Sequence, residues 1–330
     1  MSTLITGIAG QDGRLLANRL SKIEPDLYGI CKPGQMALVE QFCPEVKVIE
    51  LNLIYEEQIL EILNKIKPTQ IYNLAGFSSV SASWTEPTLA TRVNSIVPSI
   101  ILKWCLEFQP STRFVQASSS EIFGGTNLSP QNEMTPLSPI TPYGLSKGFA
   151  HKLVQQFRTQ YGLFASNAVL YNHESPLRGD NFVTRKITKA VAAIFMGSDK
   201  TLNLGDIKSK RDWGWAPDYV VGLQSIMKNN TPGDFILATG KTHTVEDLLK
   251  FAFNRIGAGD FKSHVSHDLQ SDRAVDPFNL VGDYTLARTA LDWKPSLDLR
   301  EIIEIMVDFD IELLRNPTAQ WSPSNLESKT

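Results

Sequence analysis

Along the first half of the chain, short strand-like apolar runs take turns with stretches whose apolar residues recur every three or four positions. Leu4-Ile5-Thr6 predicts a short strand, and a glycine turn then opens a helix through Leu15, Leu16, Arg19 and Leu20. Residues 27–31 and 46–51 predict the next two strands. A helix is predicted over 58–66, where Ile59, Ile62, Leu63 and Ile66 share one face, and Lys67-Pro68 stops it. Residues 70–75 return to strand, 96–108 form an apolar helix, and 114–117 form another strand. Strands separated by helices imply a parallel sheet with helices on both faces. Right-handed crossovers then give an α/β, doubly wound Rossmann sheet.

The second half is less regular. Residues 129–142 are broken by Pro130, Pro136, Pro139 and Pro142 and predict a loop, and a long helix follows over 143–161. Beyond Asn172 the alternation loosens, as expected if the chain crosses into a smaller, mixed α/β C-terminal lobe. The expected division is a Rossmann domain over 1–171 with return segments near 206–238, and a second lobe from 172–205 and 239–315. The remainder, 316–330, is polar towards its end without an apolar period and predicts a loose tail.

Composition narrows the function classes. At 330 residues the chain can bury a large core, and 42% hydrophobic with 20% charged residues is ordinary for a soluble globular protein. A formal net charge of -3 gives no global basic field for nucleic acid or an anionic membrane, so an anionic ligand must be held by local groups. No stretch approaches the roughly 20 apolar residues that span a bilayer, and no basic segment precedes a cleavable apolar one. Cys31, Cys43 and Cys105 are odd in number and lack CxxC spacing, and the five histidines show no ligand spacing. This argues against a disulfide scaffold and against a metal site, and a reducing cytoplasm is the expected setting.

Candidate chemistry begins at Gly7, Gly10 and Gly13, spaced GxxGxxG between the first strand and the first helix. Such a turn is tight, lets the backbone approach a pyrophosphate, and offers it the free N–H groups of a helix N-terminus. Three glycines alone fit a plain tight turn as well. Their place directly after the first strand favours dinucleotide binding. The second strand leads into Lys32-Pro33-Gly34 without the acidic residue that holds a ribose 2′-hydroxyl in NAD sites. Lys32 facing a 2′-phosphate leans the expectation towards NADP, with NAD possible; a solvated turn lysine is the equal alternative.

Tyr143 and Lys147 are four apart at the start of the long helix, so phenol and ammonium share a face. The ammonium, together with a cationic nicotinamide, would lower the phenol's pKa and make phenolate available as a base. Ser118-Ser119-Ser120-Glu121 ends a strand at the sheet edge where such folds place ligands, which puts a hydroxyl and a carboxylate near the same substrate. Any one of these fits a surface or capping role. All of them together do not.

These residues carry a resemblance. Ile71-Tyr72-Asn73-Leu74-Ala75, 116–124, 141–147, Tyr161-Gly162-Leu163-Phe164-Ala165, Asn172-His173-Glu174-Ser175-Pro176, 182–188, Lys210-Arg211-Asp212-Trp213-Gly214 and Leu291-Asp292-Trp293-Lys294-Pro295 resemble the extended short-chain dehydrogenase/reductase superfamily, and most closely its GDP-mannose 4,6-dehydratase family. The resemblance implies Ser119, Glu121, Tyr143 and Lys147 as the catalytic group. It implies cofactor contacts from Gly7, Ile8, Ala9, Gly10, Gln11, Asp12 and Gly13, from Leu74, Ala75, Gly76 and Ser78, and from His173 and Arg178. Lys32, Asn52 and Leu53 would flank the adenosine. Ser78, Ser119, Asn172, Lys186, Arg211, Arg273 and Asp276 would hold a GDP-sugar. The implied reaction is an internal redox dehydration, in a homodimer or homotetramer. Another nucleotide sugar such as a GDP-heptose, a ketosugar reductase or epimerase of the same superfamily, and a non-catalytic nucleotide-binding protein are the alternatives. The sequence departs from the family at Lys32-Pro33, where a pair of arginines is usual, at Asn52, at Leu177 and at Trp215.

Overall fold

The structure, a computed structural model, describes residues 2–268 and 279–321. Arg273, Asp276 and the end of the expected tail, 322–330, lie outside the described residues.

Six strands and their helices build the first layer system: β1 (Ser2–Thr6), α1 (Gln11–Leu20), β2 (Asp26–Cys31), α2 (Met36–Glu40), β3 (Lys47–Glu50), α3 (Glu56–Ile66), β4 (Gln70–Asn73), α4 (Pro87–Thr91), α5 (Val97–Phe108), β5 (Arg113–Ser119), α6 (Pro142–Tyr161) and β6 (Ala165–Leu170). The chain continues through β7 (Asn172–Glu174), α7 (Val183–Phe195), β8 (Leu202–Leu204), β9 (Lys210–Arg211), β10 (Trp213–Trp215), α8 (Ala216–Lys228), β11 (Asp234–Leu237), β12 (His243–Thr244), α9 (Val245–Arg255), β13 (Val265–His267), α10 (Thr285–Leu291) and α11 (Leu299–Arg315). The seven-stranded main sheet runs β11-β6-β5-β4-β1-β2-β3, and its pairings are parallel. The doubly wound α/β expectation is therefore met.

Burial explains the strand sequences. All five β1 residues and all six β6 residues are buried, because helices cover both faces. Successive side chains point to opposite faces. Leu4, Ile71 and Phe114 accordingly join the core under α3, α5 and α6, whereas Ile5, Tyr72 and Val115 join the core under α1 and α8. Burying one such side chain contributes about 1.5–3 kcal/mol.

Two features place the site. Strand order reverses between β1 and β4, so the turn after β1 and the loop after β4 part and leave a crevice at the carboxyl edge of the sheet. The chain also returns to the main sheet at β11, while β7 pairs with β10, Trp213 opposite Asn172. Beyond the sheet, α11 packs against α7 and α9, with Arg185 of α7 in a buried ion pair with Asp310 of α11.

The helix predicted over 96–108 begins as α5 at Val97. Residues 92–96 do not merely precede a helix; Arg92–Ile96 is a π-helical turn between α4 and α5. Widened turns of this kind redirect side chains and recur at functional sites.

Candidate active site

Two adjoining clefts open at the carboxyl edge. The first is lined by the glycine turn, Ile30, Lys32, Asn52, Leu53, Leu74, Ala75 and Gly76. The second, about 360 Å³, is lined by Ser119, Glu121, Tyr143, Lys147, Asn172, His173 and Lys186 among others. Asp12, Leu74, Gly76, Ser78, Arg178, Asn181 and Phe182 line both, so a ligand in one adjoins a ligand in the other.

The glycines of the first cleft have separate duties. Gly7 sits at φ 71, and a Cβ there would lie 2.7 Å from the backbone of Ala75. A Cβ on Gly13 would lie 2.5 Å from the carbonyl oxygen of Gly7, so α1 can press on the turn only through glycine. Gly10 caps α1 without a side-chain hydrogen bond. The first-turn N–H groups of α1 thus have neither an intrahelical carbonyl nor a capping side chain, which is the arrangement a pyrophosphate would fill. The residues present fit a nicotinamide dinucleotide.

The four residues that the resemblance implies as catalytic come from two elements pressed together. Ser119 ends β5 in extended conformation, and its hydroxyl accepts a bond from the Glu121 N–H at 3.3 Å. Thr141 caps α6 by accepting from the Gly144 N–H at 3.0 Å, and Pro142 starts the helix. A Cβ on Gly144 would stand 2.7 Å from the Glu121 carbonyl oxygen, so glycine allows the helix to seat against the Glu121 turn. Tyr143 hydrogen-bonds Ser119. The Lys147 ammonium donates to the Ala117 carbonyl at 2.9 Å and lies 5.9 Å from the Tyr143 ring centre.

Electrostatics corrects the simplest view of the tyrosine. Burial pushes the Tyr143 phenol up to about 12, against the lowering effect of its Ser119 bond. Burial also brings Lys147 down to about 8. In the protein alone burial favours the phenol over the phenolate.

A polar junction joins the clefts. His173 Nε2 lies 2.9 Å from Asp12, and its Nδ1 lies 2.7 Å from the Tyr171 carbonyl oxygen. Burial works against the charged imidazole, but the Asp12 carboxylate raises His173 above its ordinary value and is itself held low. Gln11 donates to the His173 carbonyl at 3.1 Å and accepts from Ser175 at 2.8 Å. The side chains of Gln11 and Asp12 therefore tie the glycine turn to β7. Arg178 lies 3.2 Å from buried Glu174 and covers the Phe182 ring.

Not every predicted residue reaches a cleft. Ile8 is buried beneath Gly29 and lines neither, so its side chain is core. Arg211 is buried, donates to the Lys210 carbonyl at 2.7 Å, and lines neither cleft. The Asn52 side-chain oxygen accepts from the Ile54 N–H at 3.3 Å. Sequence reasoning missed Asn94 in the π-helical turn: its amide bonds both backbone groups of Phe77 and donates at 3.0 Å to Ser146, which lies between Tyr143 and Lys147 on α6. It also missed Glu50, whose carboxylate accepts from the N–H groups of Gly34 (2.7 Å) and Met36 (3.1 Å) in the turn after β2. An acidic residue absent from that turn in sequence is supplied by the neighbouring strand.

The parallel sheet with its glycine turn, and the Ser-Tyr-Lys group at the carboxyl edge, define an extended short-chain dehydrogenase/reductase. Solved structures agree on the fold: the UDP-glucose 4-epimerase of Thermotoga maritima superposes with a TM-score of 0.84 at 22% identity, covering 95% of this chain and 100% of that one. A dTDP-glucose 4,6-dehydratase of Bacillus anthracis, solved with NAD, gives 0.81 at 18% identity, covering 96% and 97%. The chain belongs to the GDP-mannose 4,6-dehydratase family, whose model matches residues 4–306. Curated GDP-mannose 4,6-dehydratases include one from Homo sapiens, 37% identical over 96% of this chain and 93% of its own length. Another, from Sinorhizobium fredii, is 35% identical over 94% and 97%.

Proposed function

We propose that this enzyme converts GDP-mannose to GDP-4-keto-6-deoxymannose and water. The observation that carries the reading is the convergence of Ser119, Glu121, Tyr143 and Lys147 on one cleft that adjoins the dinucleotide-shaped cleft. Bound nicotinamide dinucleotide supplies the hydride acceptor and donor of an internal redox cycle, without net consumption. With the cationic nicotinamide and Lys147 beside it the phenol would ionise, and Tyr143 as phenolate would take the proton of the C4 hydroxyl as C4 is oxidised, with Ser119 orienting that oxygen. The 4-ketone acidifies C5–H; Glu121 would remove that proton and give one to the departing C6 hydroxyl, so that one water leaves. The C5–C6 double bond would then be saturated by return of the hydride to C6 and of a solvent proton to C5, as Tyr143 gives up the proton it took. Lys147, held on the Ala117 carbonyl, keeps a positive charge beside the phenol.

The glycine turn, Leu74–Gly76, Ser78, His173 and Arg178 would surround the dinucleotide. Asn172 and Lys186 line the second cleft and would meet the GDP-sugar, with Arg273 and Asp276 proposed from the resemblance alone. In this reading 1–171 with 206–238 hold the cofactor, and 172–205 with 239–315 hold the sugar nucleotide. Lys32 at the cleft favours NADP, whereas Glu50 of β3 lines neither cleft and accepts from the N–H groups of Gly34 and Met36. Replacing Lys32 by Asp and measuring affinity for both cofactors decides: a fall for NADP alone by about ten-fold assigns Lys32 to a 2′-phosphate, and an unchanged ratio removes it. Among the described residues no helix is long and apolar enough to cross a membrane. Three buried free thiols suit the cytoplasm.

The decisive experiment incubates purified protein with GDP-mannose and a catalytic amount of NADP⁺ or NAD⁺, followed by mass spectrometry. Loss of one water without net cofactor reduction is expected. Turnover of a different nucleotide sugar, or stoichiometric use of reduced cofactor, would overturn the assignment.

A further inference from the structure

Three cations line the first cleft among the described residues: Arg14, Lys32 and Arg178. Arg178 is neutralised by Glu174, and Lys32 stands in the turn after β2. Arg14 follows the third glycine of the phosphate turn directly. Its guanidinium donates to two carbonyl oxygens, Gly10 at 3.4 Å and Leu177 at 3.3 Å, and its carbon lies 6.0 Å from the Phe42 ring centre. No carboxylate among the described residues forms an ion pair with it. Carbonyl bonds orient a guanidinium but leave its charge uncompensated, and the planar fork keeps donors free for a bidentate anion. Withdrawing an unpaired cation from water is costly unless an anion joins it. The two tethers hold this one on the cleft wall beside the uncapped N-terminus of α1.

We infer that Arg14 binds the dinucleotide's pyrophosphate, completing with its guanidinium the anion site begun by the α1 backbone. The assignment rests on the cofactor reading of the first cleft. Because its second tether reaches Leu177, Arg14 also links the glycine turn to the segment that bears Arg178.

Calorimetric titration of wild type, Arg14→Gln and Arg14→Lys with NAD⁺ and with ADP-ribose, at low and high salt, tests this. ADP-ribose keeps the pyrophosphate and lacks nicotinamide. Arg14→Gln is expected to raise the Kd for both ligands about ten-fold or more and to flatten the salt dependence of binding. Arg14→Lys should keep the salt dependence and raise Kd less. A wild-type Kd in Arg14→Gln overturns the inference, as does a raised Kd with unaltered salt dependence, which marks a tether only. Should Arg14→Gln fail to fold, a wild-type Kd in Arg14→Lys overturns it and a raised one sustains it. If wild type itself binds neither ligand, the cofactor reading falls and takes this assignment with it; NAD⁺ binding that ignores Arg14 leaves that reading standing.

Discussion

Ser119 and Glu121 are two residues apart, yet the end of β5 between them turns one into a hydrogen-bond partner of Tyr143 and the other into a buried carboxylate on the same cleft. If Glu121 carries the proton from C5 and to C6, Glu121→Gln should lower turnover by about 10²–10⁴-fold. It should also abolish deuterium uptake at C5 from heavy water. Wild-type exchange at C5 in that variant would remove Glu121 from the elimination. His151 behaves oppositely to His173. Burial lowers it from 6.5 to about 4 despite nearby Asp234, with Lys152 and Arg158 pushing the same way as burial. Its native form is neutral, so between those values the unfolded chain binds more protons, and stability falls as pH drops from 6.5 towards 4. At 1.36 kcal/mol per unit the loss is about 3 kcal/mol. The melting temperature of wild type should therefore fall through this window relative to His151→Gln; parallel curves would refute it. Ser119, Glu121, Tyr143 and Lys147 were brought forward by the resemblance, and the structure lines one cleft with all four. The state of Tyr143 was not legible in the sequence, because its pKa depends on burial by residues far away in sequence.

At the scale of elements, the site depends on how closely α6 approaches the turn after β5. Gly144→Ala would place a methyl 2.7 Å from the Glu121 carbonyl oxygen and push Tyr143 and Lys147 outward together. A misplacement of this kind far exceeds what stability alone would register. Turnover should fall about 10²-fold, while thermal unfolding shifts by only a few degrees; an unaffected kcat would show that the contact is slack. Element types were legible from the apolar pattern in β1, α1, α3 and β5. The π-helical turn at Arg92–Ile96 was not, since a single extra residue per turn leaves no mark on composition. Asn94 was missed for that reason.

In the whole molecule, Leu145 and Phe149 stand one turn apart on the outer face of α6, 59% and 52% exposed, with Trp84 and Ile96 also exposed nearby in the chain's helical layer. An apolar stripe of this kind suits pairing with a second copy, which is the homodimer or homotetramer that the resemblance implies. If the wild type is the oligomer that the resemblance implies and pairs through this stripe, Phe149→Glu should lower its mass in light scattering; an unchanged mass would place any interface elsewhere. The sequence by itself determined the alternation of strands and helices, the glycine turn and the pairing of Tyr143 with Lys147 on one helix face, because each rests on neighbours within about a helical turn or a strand. Tertiary structure alone decided that Glu50 of β3 bonds the turn after β2, that Asn94 reaches Ser146, that Asp12 meets His173 across 161 positions, and that Ile8 is buried in the core. Those contacts depend on strand order and on the approach of helices to the sheet, which local pattern does not encode.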